Sequence, residues 1–187
     1  MERAAFLNSL DKKEIEKNLY KEKEFTYIFE TYYKRVYNYM YYRVKDYHIA
    51  EDLTSQVFEK IMVKIDTYSK TKSPFEVWMF AIARNVVRDY LRSKKNKLFS
   101  IDKIKELISR EKTPEGVIEI SEIKDRISRA LNVLNTRERN IIALRFGAEL
   151  KNKEIAEILD ISESNVGVIL YRSMKKLKKE IERGGQL

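Results

Sequence analysis

The chain has 187 residues and a formal net charge of +9, and this excess of Lys and Arg favours a polyanionic partner over a neutral or acidic one. Cysteine is absent, which excludes a disulfide framework and thiolate chemistry and fits a reducing compartment. Apolar runs fall short of the roughly 18 residues of a membrane span, and the N-terminus is too charged for a signal peptide, so we expect a cytoplasmic protein without membrane insertion.

Five glycines and two prolines interrupt the chain, and apolar residues recur with helical spacing in nearly every window. The sequence therefore predicts an all-α protein of two small helical domains, the C-terminal one a helix-turn-helix. Two regions of the chain are rich in Lys and Arg, 84–97 and 172–183. Pro114 and Gly116 lie in a mixed-charge stretch between them, which indicates a flexible linker. The predicted segments are an N-terminal helical extension at 1–24, a first domain at 25–96, the linker at 97–122 and a second domain at 123–187.

The first predicted domain begins with a tyrosine-rich segment, FETYYKRVYNYMYYRV, at residues 29–44. Tyrosine stacks on bases, but the aromatic and apolar positions of this segment serve several helix faces. We therefore favour core packing with partly exposed rims over a nucleic-acid platform. His48 follows this segment, and with no second histidine and no cysteine it does not indicate a metal site.

The next segment, AEDLTSQVFEKIMVKIDTY at 50–68, has the pattern of an amphipathic helix. Aliphatic residues at intervals of four form its buried stripe: Leu53, Val57, Ile61 and Ile65. Polar and charged residues stay outside that stripe: Asp52, Gln56, Glu59 and Lys60. This outer face could dock a partner, although the charge pattern alone favours an ordinary solvated face.

A short polar loop and a second long helix follow. The loop Tyr68–Ser73 is led by an aromatic residue and could hold an unstacked base, which alone is weak evidence of function. Pro74 marks the start of the helix FEVWMFAIARNVVRDYLRSKK, whose predicted inner stripe is Trp78, Ile82, Val86 and Leu91. Its outer edge carries arginines at intervals of four, suited to successive phosphates, with two polar neighbours: Arg84, Arg88 and Arg92, beside Asn85 and Asp89.

The segment EIAEILDISESNVGVILYRSMKKLKK at 154–179 reads as two short helices joined by a tight turn. Ser162 is placed to cap the second helix, and Asp160 occupies the turn position that requires a positive φ. Ala156 supplies the small residue needed where the helices cross. Gly167 costs the second helix about 1 kcal/mol against alanine, which predicts close approach of a backbone there. A DNA-reading unit is the favoured interpretation, and a plain helical hairpin is the alternative.

Catalytic chemistry is not indicated by any grouping of residues. Glu51 and Asp52 are adjacent carboxylates, but neighbours on a helix point about 100° apart and make a poor acid/base pair. The sequence contains no Gly-rich phosphate loop and no Ser/His/Asp grouping. We expect no catalytic residue, no metal ion and no cofactor.

Taken together, these elements resemble the RNA polymerase sigma factors of the sigma-70 family, specifically the small two-domain extracytoplasmic-function (ECF) group. The segment AEDLTSQVFEKI is similar to the family helix that grips a coiled coil on the polymerase clamp. The helix FEVWMFAIARNVVRDYLRSKK is similar to the family pattern FxxWLxxIARNxxxDxxR. RALNVLNTRERNIIALRF, followed by the helix-turn-helix, resembles the domain that reads the minus-35 promoter element.

The resemblance implies a transcription initiation factor that binds core RNA polymerase, directs it to specific promoters and helps open the minus-10 region, with promoter DNA and an anti-sigma factor as further partners. It implies core-polymerase binding by Asp52, Gln56 and Glu59. For minus-10 DNA it implies Tyr68, Ser69, Lys70, Arg84, Asn85, Arg88 and Arg92. For minus-35 DNA the expected residues are Ser162, Ser164, Asn165, Arg172, Lys175 and Lys176.

The chain departs from the family pattern in two places. Family members often carry Thr-Val-Lys-Ser-Arg-Leu in the recognition helix, where this chain has Asn165-Val166-Gly167-Val168-Ile169-Leu170 and lacks two basic contacts. The clamp helix has Ser55-Gln56-Val57 where Gln-Glu-Thr is common, so Gln56 matches approximately. The alternative function is a helix-turn-helix regulator that acts without core polymerase. It would explain the C-terminal domain and the charge, but not the two N-terminal helices.

Overall fold

The structure is a computed structural model that describes residues 2–100 and 130–184, with side chains over 22–96 and 130–183. The described chain is helical and contains no strand, which confirms the all-α prediction. Its α-helices are α1 (Glu2–Val44), α2 (Tyr47–Lys64), α3 (Phe75–Ser100), α4 (Thr136–Ile142), α5 (Asn152–Leu159) and α6 (Glu163–Gly184). Short 3₁₀ turns lie at Ile65–Thr67 and Leu131–Val133, and a π-helical turn lies at Ala143–Gly147.

Residues 1–34 and 35–187 form two compact units. In the first unit, the rings of Phe25 and Phe29 are 6.4 Å apart and those of Phe29 and Tyr33 are 5.0 Å apart, at the spacing of successive helix turns. The predicted linker begins inside α3, which continues to Ser100, and its remaining residues lie outside the described part of the chain. No helix in the described residues is both long and apolar enough to cross a membrane.

In the second unit, α1 ends at Val44, and Lys45, with a φ of 59°, turns the chain into α2. Asp46 then caps α2 by accepting a hydrogen bond of 3.0 Å from the Ile49 N–H. Three residues of the predicted α2 stripe are buried, and the fourth, Ile65, lies half-buried in the following 3₁₀ turn. The tyrosines of α1 confirm core packing with partly exposed rims, since Tyr39 is fully buried while Tyr37 is half-buried.

The predicted inner stripe of α3 is only partly correct. Val86 is buried, but the other members, Trp78, Ile82 and Leu91, are half-buried. The fully buried residues of α3 are Met79, Phe80, Ala83 and Val87. Helix α3 packs against both α2 and α5, so its buried surface is wider than a single stripe. Trp78 lies instead in an aromatic cluster, with its ring 5.3 Å from that of Tyr68.

The C-terminal helices confirm the helix-turn-helix prediction. Helix α4 begins with a capping box, in which the Asn135 side chain accepts from the Glu138 N–H and the Glu138 carboxylate accepts from the Asn135 N–H. Asp160 has a φ of 54° and turns the chain between α5 and α6, as predicted. Ala156 and Val166 are buried where the two helices cross.

Within the second unit, α1 and α3 pack directly against the C-terminal helices. A Cβ at Gly147 would lie 2.9 Å from the Tyr39 backbone nitrogen, so this position requires glycine. The Tyr39 hydroxyl donates to Asn140 Oδ1 at 2.9 Å, and Arg35 Nε donates to the Ala148 carbonyl at 2.8 Å. We call these contacts, together with the hydrogen bonds of Arg43 to Thr136 and of Arg84 to Ile158, the seam.

Candidate polymerase and nucleic-acid interfaces

The outer face of α2 brings the three predicted polymerase-binding residues together. Asp52, Gln56 and Glu59 are all exposed, and their spacing places them on one side of the helix. Sequence reasoning missed the apolar continuation of this face, where Val63 is 81% exposed and Met62 is 55% exposed. The signal was present, because Val63 follows Glu59 by one helical turn and lies off the buried stripe. The face is therefore polar at one end and apolar at the other.

The loop after α2 is held by its leading aromatic residue. The Tyr68 ring lies 5.3 Å from both Phe75 and Trp78, and its hydroxyl donates to the Ser73 carbonyl at 3.3 Å. Tyr68 thus anchors the loop to the start of α3. The Ser69 hydroxyl lies 2.8 Å from that of Thr71, and the Lys72 N–H donates to the Ser69 carbonyl at 3.0 Å. Lys70 and Lys72 are exposed at the tip.

The predicted arginine edge of α3 is divided in two. Asn85, Arg88 and Arg92 are exposed, and both arginines lie near Asp89, at 4.0 and 3.8 Å. Exposed pairs of this length contribute little stability, so these guanidinium groups can exchange Asp89 for another anion. Arg84 is half-buried and its Nη1 donates to the Ile158 carbonyl, 3.3 Å away on α5.

Arg43 is a buried cation at the seam that sequence reasoning missed. It is 7% exposed, and burial lowers the pKa of its guanidinium. Its Nη1 donates to the Thr136 carbonyl over a long 3.4 Å, while its Nε is buried without a hydrogen-bond partner. No pattern in the sequence predicts this burial, because an arginine in an aromatic helix ordinarily extends to solvent.

The start of α6 carries the predicted minus-35 residues. Ser162 Oγ accepts from the Asn165 N–H at 3.2 Å, which confirms the predicted cap, and it lies 3.1 Å from Ser164 Oγ. The residues of this group that are exposed are Ser162, Ser164, Asn165, Arg172, Lys175 and Lys176. Exposed apolar residues on the same helix were missed: Val168, Tyr171, Met174 and Ile181. A Cβ at Gly167 would meet nothing within 4 Å, so the close approach predicted there is not made by the described part of this chain.

Lys176 differs from the rest of that group because its Nζ lies 2.7 Å from Glu138 Oε1. Burial raises the pKa of the Glu138 carboxyl, but hydrogen bonds from Lys176 and from the Asn135 N–H outweigh it, so the net pKa is lowered. The ion pair ties α6 to α4 inside the C-terminal domain. Lys175, one residue away, is exposed and has no ion pair among the described residues.

Comparison with known proteins covers both halves of the chain. The family model Sigma-70 region 2 matches residues 28–97, and Sigma-70, region 4 matches residues 124–177. The ECF RNA polymerase sigma factor SigM of Bacillus subtilis (strain 168) is 32% identical over 159 residues, which is 84% of this chain and 94% of that protein. SigX of the same organism is 28% identical over 86% of this chain and 85% of its own length.

Solved structures share the fold. A complex of the sigma factor RpoE with the anti-sigma factor NepR from Bartonella quintana matches with a TM-score of 0.68 at 19% identity, over 86% of this chain and 98% of that one. The two sigma-70 regions occur in the predicted order, which favours an initiation factor over a regulator that acts without polymerase. The sigma factors are initiation factors and are not enzymes. The chain belongs to the ECF group of the sigma-70 family, the transcription initiation factors that bind core RNA polymerase and direct it to promoters.

Proposed function

We propose that this sigma factor docks on core polymerase through the outer face of α2. The observation that carries the proposal is the composition of that face. Asp52, Gln56 and Glu59 are exposed on it, and the strongly exposed Val63 lies one helical turn after Glu59. An exposed aliphatic residue of this kind becomes favourable when a partner covers it. The surrounding polar groups then fix the register of the partner helix.

We further propose that the loop after α2 and the arginine edge of α3 act on the minus-10 element. Tyr68, Ser69 and Lys70 shape the loop that receives an extruded base, with Tyr68 as its anchor. Asn85, Arg88 and Arg92 are accessible to the opened strand, and Arg84 becomes accessible once its bond to Ile158 is released. Extruding a base costs a few kcal/mol, which contacts of this kind must recover.

Minus-35 recognition is assigned to the start of α6. Ser164 and Asn165 face outward on the first turn, where a recognition helix contacts base edges. Arg172 and Lys175 follow along the helix and suit phosphates. Lys176 joins them only if a phosphate replaces Glu138 as its partner.

The functional segments follow from these assignments. Residues 25–96 are the polymerase- and minus-10-binding domain, and residues 123–187 are the minus-35-binding domain, with 97–122 between them and 1–24 as an extension. The protein acts in the cytoplasm, where its polymerase partner resides. An anti-sigma factor is its expected inhibitor, as in the RpoE–NepR complex, whose sigma factor shares this fold.

The test is run-off transcription with bacterial core polymerase on a genomic library, comparing the wild-type protein with Asp52→Lys/Gln56→Lys. The wild type should give defined starts that share two spaced elements, and the variant should lose both core capture and transcripts. The control is Glu22→Lys/Glu24→Lys, which makes a slightly larger change of charge in the same direction at two exposed positions with no assigned role. Unchanged core affinity in the α2 variant, with the fold intact by circular dichroism, would remove α2 as the docking face.

A further inference from the structure

A cleft of about 420 Å³ lies at the seam, between α3 and the C-terminal helices. Four arginines line it: Arg43 comes from α1, Arg84 and Arg88 come from α3, and Arg137 comes from α4 on the far side. The residues that matter here are Arg43, Arg84, Arg88, Arg137, Leu159 and Ile161. None of the residues that line the cleft is acidic. The cleft is therefore a strongly basic cavity with one apolar wall, made by Leu159 and Ile161.

Arg43 makes this cavity different from a basic surface patch. Its guanidinium is almost completely buried, and its Nε has no hydrogen-bond partner. Among the described residues no carboxylate forms an ion pair with it, and the cations Arg139 and Arg84 repel its charge. An arginine stays protonated even when buried, so an uncompensated positive charge faces the cleft.

The other cations of the cleft make long contacts or none. Arg84 donates to the neutral carbonyl of Ile158, and Arg88 faces Asp89 at 4.0 Å. Arg137 is exposed and has no hydrogen bond or ion pair in the described part of the chain. Phosphate oxygens are stronger acceptors than carbonyls, and a guanidinium binds them in a bidentate manner.

We propose that this cleft binds the diphosphate group of a small molecule, free or as part of a nucleoside diphosphate, and so bridges α3 to the C-terminal domain. A diphosphate offers enough oxygens to contact guanidinium groups from both sides at once. The apolar wall of Leu159 and Ile161 suits the ribose or base of a nucleotide. The proposal of anion binding depends only on the residues of the cleft. Its consequence, that a bound anion prevents Arg84 and Arg88 from contacting DNA, rests on the proposed function.

The experiment is isothermal titration calorimetry of the full chain with sodium pyrophosphate, at an ionic strength kept constant with NaCl. We expect one site per chain and about tenfold weaker binding in Arg88→Gln and in Arg137→Gln, each of which removes a charge-assisted contact. The matched control is Lys153→Gln, an equal charge change at an exposed position on α5 outside the cleft. It should change the affinity less than twofold. Arg137 is exposed, so its substitution does not threaten the fold, whereas Arg43 is buried and its substitution would perturb the core.

Three results would overturn the proposal: no saturable binding, equal weakening by Arg137→Gln and Lys153→Gln, or weakening by Arg88→Gln alone. The last would place the anion on α3 without a bridge. A parallel titration with GDP identifies the molecule that carries the diphosphate. Tighter binding of GDP than of pyrophosphate would mean that the apolar wall contacts the nucleoside, and equal binding would mean that the site recognises the diphosphate alone. Arg137 has no assigned role in DNA binding, so holoenzyme binding of minus-10 DNA should be unchanged in Arg137→Gln. The two proposals can therefore fail separately.

Discussion

The two basic surfaces of this sigma factor differ in how much of each is accessible. In the first half of α6, Ser164, Asn165 and Arg172 are exposed. On α3, Arg88 is exposed but Arg84 donates to a carbonyl of α5. The surface to which we assign duplex reading is therefore open, whereas the surface to which we assign strand opening is partly covered by the C-terminal helices.

The seam that covers α3 is built from replaceable contacts. Its arginines donate to the carbonyl oxygens of Thr136, Ala148 and Ile158, which are neutral acceptors. A guanidinium binds a neutral carbonyl more weakly than it binds a carboxylate or a phosphate, where both partners are charged. Close packing at Gly147 is the less replaceable part, because it depends on shape. The seam can thus hold α1 and α3 on the C-terminal helices, and its arginines can still exchange their carbonyl partners for charged acceptors.

Gly147→Ala is expected to have the largest effect, because it disrupts the packing of the seam that partly covers α3. The added Cβ would lie 2.9 Å from the Tyr39 backbone nitrogen, and backbone cannot move aside as a side chain can. Overpacking of this kind costs about 1–3 kcal/mol, so the free energy of unfolding should fall by about 2 kcal/mol. Chemical denaturation measures it, and hydrogen exchange should show faster opening of α3.

Gly167→Ala is the matched control for that substitution, since nothing in the described structure lies within 4 Å of the new methyl group. It should be neutral or raise the free energy of unfolding by up to about 1 kcal/mol through helix propensity. If Gly147→Ala proved as stable as Gly167→Ala, the close packing of α1 on the C-terminal domain would be wrong.

The next largest effect concerns the exposed part of the α3 edge. Arg88→Ala/Arg92→Ala should weaken holoenzyme binding to single-stranded minus-10 DNA about ten- to a hundredfold, because two charged phosphate contacts are lost. The slope of log affinity against log salt should become shallower by about 0.7 for each contact. Titration at several salt concentrations measures both quantities. Binding of isolated minus-35 duplex is the control, and an equal loss there would mean that α3 acts through general charge.

Local features of the fold were predictable because their causes lie within one or two helical turns. The positive φ of Asp160, the cap at Ser162 and the buried stripe of α2 all follow from neighbouring residues. The width of the buried surface of α3 was not predictable, because it depends on α5, far along the chain. Arg84 illustrates the limit. Helical spacing predicts that it lies on the same edge of α3 as Arg88, but helical spacing cannot predict its hydrogen bond to Ile158, which is distant in sequence.

The same limit applies to the candidate sites. The polar members of the α2 face could be read from the resemblance, and Val63 could have been found from its place off the buried stripe. The burial of Arg43 and the pairing of Lys176 with Glu138 join segments distant in sequence, so periodicity is silent about them. Long-range pairs are therefore the part of the site that requires a structure.

A smaller effect is expected at the open surface, from Asn165→Ala. The Asn165 side chain has no hydrogen-bond partner in the described part of the chain, and the cap uses only its backbone N–H, so folding should be unaffected. Loss of a base contact should weaken minus-35 duplex binding about tenfold and relax preference at one base pair. Competition among single-base variants of the duplex measures this. An equal loss of affinity for all duplex variants would instead mean that Asn165 contacts the DNA backbone.

The smallest effect is expected from Glu138→Gln, which keeps the capping acceptor but removes the charge opposite Lys176. The pKa of Glu138 is lowered in the folded state from its ordinary value of 4.5, so the stabilisation is complete above that pH and is lost as pH falls through the folded pKa. The variant should be about 1 kcal/mol less stable at neutral pH, with the difference shrinking below about pH 4.5. Thermal unfolding across this range measures it, and a constant difference would show that packing dominates. The variant also tests Lys176 as a phosphate contact: with Glu138 neutral, its ammonium is free to meet DNA, so minus-35 affinity should be maintained or slightly raised.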